Sequence, residues 1–256
     1  MDTAFLIVAT LAFLGGFVLA ALSWRRESDR PHGLNIPLAL AGLVFQTLFL
    51  HARGQLHGRC PITNGGEVLV FVSWSLVLMY LMLGRAFRLS LLGVFTMPIV
   101  FLLHLVALVY LALADPGARP PTRLDPWLEL HAAMSLLAYG AFGLAAIAGV
   151  MYLLQDRQLK SHKPSRLFYS MPPIRYLAVA LVRLLAIGTA MLSVGIIAAF
   201  FMSVRPAPLH LVVSGAVWLA YALVLAVHAW RRQPPKRLAL SAIGAFAFAL
   251  AALSAL

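Results

Sequence analysis

Eight histidines are the residues of this chain best suited to chemistry, because an imidazole inside an apolar bundle costs free energy unless it is paired or coordinated. His210 and His228 stand eighteen residues apart in one apolar run. At about 100° per residue a helix returns such a pair to one face after about five turns, roughly 27 Å apart along it. Ser214 and Tyr221 fall within about 40° of the same line. One face would then carry polar groups from one membrane boundary to the other, as a path or a two-site cofactor carrier requires. An ordinary span also accounts for it, with Ser and Tyr bonding neighbouring helices and a terminal His snorkelling to the interface. His131 heads another face, continued by Ser135, Ala138 and Phe142. That is an imidazole for a metal, small residues for a flat macrocycle and an aromatic ring to stack on it, although small residues equally serve close helix packing. His57 belongs to the segment from Gly54 to Glu67, where Asn64 is a candidate N-cap and Glu67, three residues on, its capping-box partner. The cap does not need His57, Arg59 or Cys60, which are left to a ligand or to solvent.

The elements that must position these residues are membrane spans. Of 256 residues 62% are hydrophobic and 11% charged, far from a soluble domain, in which about a quarter are charged. Apolar runs long enough to cross a hydrocarbon core lie near 4–24, 34–51, 67–84, 91–114, 130–154, 184–203, 209–230 and 238–256. The sequence therefore predicts an all-α, polytopic transmembrane bundle of about eight helices, a single integral membrane domain over residues 1–256. The stretch 171–183 is apolar but carries Arg175 and Arg183, and reads as an interfacial helix leading into the sixth span. The first run follows Met-Asp-Thr with no basic leader, which suits a retained helix better than a cleaved signal.

Twenty Lys and Arg against eight Asp and Glu could suggest nucleic acid, but the cations sit in short clusters between spans, so no nucleic-acid partner is expected and they read as topology signals. The connections after spans one, three, five and seven hold Arg25, Arg26 and Arg30; Arg85 and Arg88; Arg157, Lys160, Lys163 and Arg166; and Arg231, Arg232, Lys236 and Arg237. The others hold only Arg53, Arg59, Arg119, Arg123 and Arg205. Both termini are then expected outside. On that topology His51, His57, His131 and His210 lie toward the outer face, His104 near mid-membrane and His228 near the inner face, with His32 and His162 in inner connections. The outer connection 115–127 is rich in proline, which argues against a continuous helix there. A single cysteine, Cys60, excludes an internal disulfide framework and a Cys-x-x-Cys pair.

Three stretches resemble a known family. His57-x-x-Cys-Pro-Ile-Thr-Asn64-x-x-Glu67 with Phe71-Val-Ser-Trp74 is similar to a segment of the cytochrome c assembly family, whose members include the CcsA haem-handling proteins and a HemX-like branch. His131-x-x-x-Ser-Leu-Leu-Ala-Tyr-Gly140 through Tyr152-Leu-Leu-Gln-Asp-Arg-Gln-Leu-Lys160 resembles its next conserved helix and inner loop. Trp218-Leu-Ala-Tyr221 with His228-x-Trp-Arg231 resembles its penultimate helix. The resemblance implies haem held by membrane histidines and displayed outside between two further ones. His131 matches the first outer ligand by position, and His228 the membrane ligand toward the inner side.

Departures from the family pattern place the chain with the short HemX-like members. The tryptophan-rich loop is absent, the last span carries no histidine, and Gly66 and Val68 stand where the family pattern has Tyr and Ser. His210 is the candidate to face His131 in place of the missing outer ligand. The resemblance thus implies a haem-handling protein of the bacterial cytoplasmic (inner) membrane, associated with cytochrome c biogenesis. Its expected cofactor is haem b, its cofactor-binding residues His131, His228, His210 and His57, with His131 and His228 on the iron. Membrane lipid, and cytochrome c maturation proteins or another membrane complex, are the expected partners. Arg53, Arg59 or Arg205 would pair with propionates, since a guanidinium satisfies a carboxylate bidentately. The rival reading is a structural or regulatory subunit without haem. No carboxylate pair, nucleophile with an adjacent base or phosphate-cradling glycine loop speaks for an enzyme, and no pair of broken helices for a transporter.

Overall fold

The computed structural model describes residues 2–25, 32–86, 92–114, 125–161, 171–203 and 207–254. These form eight helices and, among the described residues, no strand: α1 (Asp2–Arg25), α2 (His32–His57), α3 (Gly65–Ala86), α4 (Leu92–Ala114), α5 (Pro126–Lys160), α6 (Ile174–Ala199), α7 (Pro208–Arg231) and α8 (Pro235–Ser254). All eight are long and apolar enough to cross a membrane, so the chain is a multi-pass, all-α membrane protein. His162, Arg205 and the proline-rich residues 115–124 lie outside the described residues. The chain divides into two compact units, α1 to α4 and α5 to α8.

In the first unit α1 packs against α2 and α4 around Leu6, Phe13, Phe49, Leu76 and Met97, all buried. At its centre each of the four helices contributes one polar side chain. Thr10 spends its hydroxyl proton on the Leu6 carbonyl at 2.7 Å, so its oxygen accepts from Nδ1–H of His104 at 3.2 Å. His104 Nε2 is then left to accept from the amide of Gln46. The same amide donates to Ser73 Oγ at 2.8 Å, and Ser73 donates to the Val70 carbonyl at 2.8 Å. His104 is fully buried and every proton in this chain has an acceptor, which is what allows an imidazole at this depth. Gln46 Oε1 has no partner among the described residues. Trp74 Nε1 donates to Thr47 at 2.9 Å and ties α3 to α2 again.

In the second unit α5 is the central element, packed by α6 and α8. Asp125 caps it by accepting the Trp127 N–H at 3.0 Å, and Pro126 takes the first helical position, where a missing N–H costs nothing. At 35 residues it runs about 52 Å, well beyond an apolar core of about 30 Å. Its last turns are held by an Asp156–Lys160 bridge of 2.8 Å. Buried alanines and glycines from Ala138 to Gly149 make α5 thin, so that neighbours approach closely. Tyr139 donates to the Ala249 carbonyl on α8 at 3.1 Å, and Trp218 on α7 to Ser193 on α6 at 2.8 Å. Residues 174–183, within the stretch expected to lead into the sixth span, form the first turns of α6 in one helix with it, with Arg175 and Arg183 exposed.

Candidate functional site

The second unit brings two of the singled-out histidines face to face. His131, one turn inside the cap of α5, and His210, one turn inside the start of α7, point Nε2 at Nε2 across 3.3 Å, with ring centroids 5.5 Å apart and planes at 57°. His131 is 8% exposed. Its other nitrogen donates to the backbone carbonyl of Gly195 on α6 at 2.8 Å. A carbonyl can only accept, so Nδ1 carries the ring hydrogen and Nε2 presents a lone pair toward His210. Metal-bound histidines have this outer arrangement, in which the bonded nitrogen fixes the tautomer and the ring plane for the other.

A bound haem can be tested against these donors. Imidazole nitrogens are ordinary ligands of haem iron, and the pair, with its nitrogens 3.3 Å apart, would have to open to admit the group. Below it, Phe142 on α5 stacks on Tyr221 of α7 with centroids 3.5 Å apart and planes at 5°. Ser135 Oγ and Tyr221 Oη are buried without a partner among the described residues. Two imidazoles and unpartnered hydroxyls fit the group in donor chemistry. No cluster of three or more His, Cys, Asp and Glu suited to a bare metal ion occurs among the described residues.

His228 lies at the far end of α7, half-buried, its Nδ1 enclosed and without a partner among the described residues. Its ring does not join the His131–His210 pair. Tyr221, on the same predicted face, is fully buried.

His57 belongs to the first unit and to a different environment. Gly58 adopts a left-handed φ of 63° and ends α2, with the Arg59 N–H returning to the Gly54 carbonyl at 3.2 Å, a Schellman closure. That turn folds Thr63 and α3 back over His57. Asn64 caps α3 as expected, accepting the Glu67 N–H at 2.9 Å. The Glu67 carboxylate does not complete a capping box on Asn64. It accepts from Arg53 Nε at 2.8 Å, His57 Nε2 at 3.0 Å, and the Thr63 backbone and hydroxyl at 2.8 Å each, while Arg53 also reaches Asp2 at 3.3 Å. The side chains of His57 and Glu67 are fully buried. His57 is thus engaged in an ion cluster rather than standing in a solvated loop, and the Arg53 guanidinium is committed to two carboxylates. The sequence had signalled neither the Glu67 cluster, nor the partners of His104, nor Gly195. Of these only the isolated mid-membrane His104 carried a residue-type signal.

The sequence profile of the Cytochrome C assembly protein family matches residues 62–255, which include His131, His210 and His228 and begin just after His57. Protein HemX of Brevibacillus brevis is 30% identical over 195 residues, 76% of this chain and 69% of the relative. Protein HemX of Bacillus subtilis is 30% identical over 120 residues, 47% of this chain and 44% of the relative. Cytochrome c biogenesis protein CcsA of Nostoc punctiforme is 30% identical over 122 residues, 47% of this chain and 34% of that protein. The chain spans less than half the length of the latter two.

Proposed function

Because the chain belongs to the cytochrome c assembly protein family, matched over residues 62–255, we propose that it is a haem-binding, haem-handling protein of cytochrome c biogenesis in the bacterial inner membrane. The observation that carries this reading is the opposed pair of imidazoles, His131 and His210, with the His131 tautomer fixed by Gly195. Haem b, when bound, would supply an iron that imidazole nitrogens can ligate. His131 and His210 would hold it at the outer ends of α5 and α7. Tyr221 and Phe142 close the space beneath them with a flat aromatic stack, which excludes water from the inner side of the pair. His228, near the other end of α7, would offer a second imidazole on the inner side. Cytochrome c maturation proteins are the partners this reading implies.

The test is a visible spectrum of the full-length protein purified in detergent from haem-supplied cells. The expected result is a Soret band that His131→Ala and His210→Ala each abolish or shift, with His228→Ala lowering the amount of haem recovered. A wild-type preparation with no Soret band overturns the reading and leaves a haem-free structural or regulatory subunit.

A further inference from the structure

We propose that Gly195 is the positioning residue for His131, and that its contact with Ser135 sets the distance at which the Gly195 carbonyl holds the imidazole. The proposal rests on the haem reading for its consequence, but its geometry stands apart from it. Gly195 is buried on α6 where that helix crosses α5. A Cβ at this position would lie 2.8 Å from Ser135 Oγ and 3.3 Å from both the His131 carbonyl oxygen and the Ser135 nitrogen. Real Cβ atoms essentially never come within 3.0 Å of another heavy atom, and 3.3 Å is already tight, so glycine lets the backbone of α6 come down on the first turns of α5 without displacing Ser135. That approach brings the Gly195 carbonyl within 2.8 Å of His131 Nδ1.

Ser135 completes the arrangement from the other side. In an apolar helix a serine hydroxyl commonly bonds the carbonyl four residues back, here that of His131. Ser135 Oγ instead has no partner among the described residues. It lies where it would meet the added Cβ, so the hydroxyl acts as the spacer against which α6 rests. A carbonyl held this way keeps the ring hydrogen on Nδ1 and orients the Nε2 lone pair. His131 and His210 are therefore not equivalent. His131 has a backbone-anchored ring, and His210 is the partner that moves when the pair opens.

Nitrogen-15 NMR of the histidine-labelled, haem-free full chain in detergent, with haem retention measured in parallel, tests this. In the wild type, His131 should show a protonated Nδ1 and a bare Nε2. Gly195→Ala should erode that signature and weaken haem retention about tenfold, the lower end of what losing an outer-shell partner of a metal ligand costs. Ser135→Ala alone should keep the ring hydrogen on Nδ1 but shift its resonance, because α6 loses its spacer, and a resonance identical to the wild type overturns the spacer role. The double variant should return most of the wild-type signature, because removing Oγ makes room for the new methyl group. A wild-type His131 protonated on Nε2 alone overturns the proposal even where Gly195→Ala fails to fold. So does a folded Gly195→Ala that keeps the wild-type signature, or a double variant no better than Gly195→Ala. If the tautomer responds as described but the wild type retains no haem, the haem reading fails and the positioning role of Gly195 stands.

Discussion

The carboxylate of Glu67 accepts four hydrogen bonds from Arg53, His57 and Thr63 with its side chain fully buried. Replacing it by glutamine keeps the shape but takes from the nearly buried Arg53 the counter-charge at 2.8 Å. Removing one partner of a buried pair costs on the order of 3 kcal/mol. Glu67→Gln should therefore lower the midpoint of thermal unfolding in detergent, and Asp2→Asn should lower it less, because Asp2 is the more exposed partner. Spacing alone revealed the Asn64 cap, since capping is local. Arg53 and His57 were not legible as partners of Glu67, because they lie fourteen and ten residues earlier on α2 and reach it only after the turn at Gly58 reverses the chain. The His131–His210 pair has its own residue-scale consequence. Two imidazoles at neighbouring corners of a tetrahedral ion hold their nitrogens about 3.3 Å apart, the separation observed. Zinc should therefore compete with haem for this pair. Titrating the haem-free protein with zinc before haem should suppress the Soret band, and a band that grows equally with and without zinc would contradict the assignment of both nitrogens to one site.

At the scale of elements, the start of α5 is clipped to the end of the α6 segment by one exposed side chain. Asp125 accepts the Ser203 N–H at 2.7 Å through one oxygen and the Trp127 N–H at 3.0 Å through the other. These donors, the Ser203 N–H first, hold its carboxyl below the usual aspartate range. Because the folded value is depressed, the clip's contribution is fully present above the unfolded value of about 3.9 and is lost as pH falls through the folded value. Trp127 packs on Phe201 with centroids 4.9 Å apart and reports on the clip. Its fluorescence should change as the solution is acidified through that range, and Asp125→Asn should remove the change. Deeper in the unit, a Cβ on Gly188 would lie 2.5 Å from the Phe142 ring. Gly188→Ala should then cost about 1–3 kcal/mol of stability, with part of it returned by Phe142→Leu. Element existence was readable throughout, because an apolar run of some twenty residues has few alternatives in lipid. Element length was not. The last turns of α5 carry Asp156, Arg157 and Lys160, which look like a loop to hydropathy but form a helix supported by an i, i+4 bridge. Arg175 and Arg183 likewise obscured the continuity of α6. The mutual approach of helices, which Gly188 and Gly195 decide, depends on backbone positions that no residue-type pattern announces.

At the scale of the whole molecule, charge carries the expectation for orientation. With all eight helices crossing, an even number, both ends of the folded chain are expected on one side of the membrane. The helix ends and connections that follow the bodies of α1, α3, α5 and α7 hold thirteen basic residues and those that follow the others five, and we propose that the first set lies inside. In that proposed orientation, the starts of α5 and α7, with His131 and His210, face outward and His228 faces inward. A fusion of alkaline phosphatase after Leu256 should be active and a fusion of a cytoplasmic fluorescent protein dark. Phosphatase fused within the connection after α7 should be inactive. Replacing Arg231, Arg232, Lys236 and Arg237 by glutamine removes four of the thirteen inner charges and should give a mixed population at the C-terminal reporter. An inactive C-terminal phosphatase with a bright fluorescent fusion would invert the topology. It would put the facing imidazoles on the cytoplasmic side, where haem bound between them could not be presented to an acceptor outside the membrane.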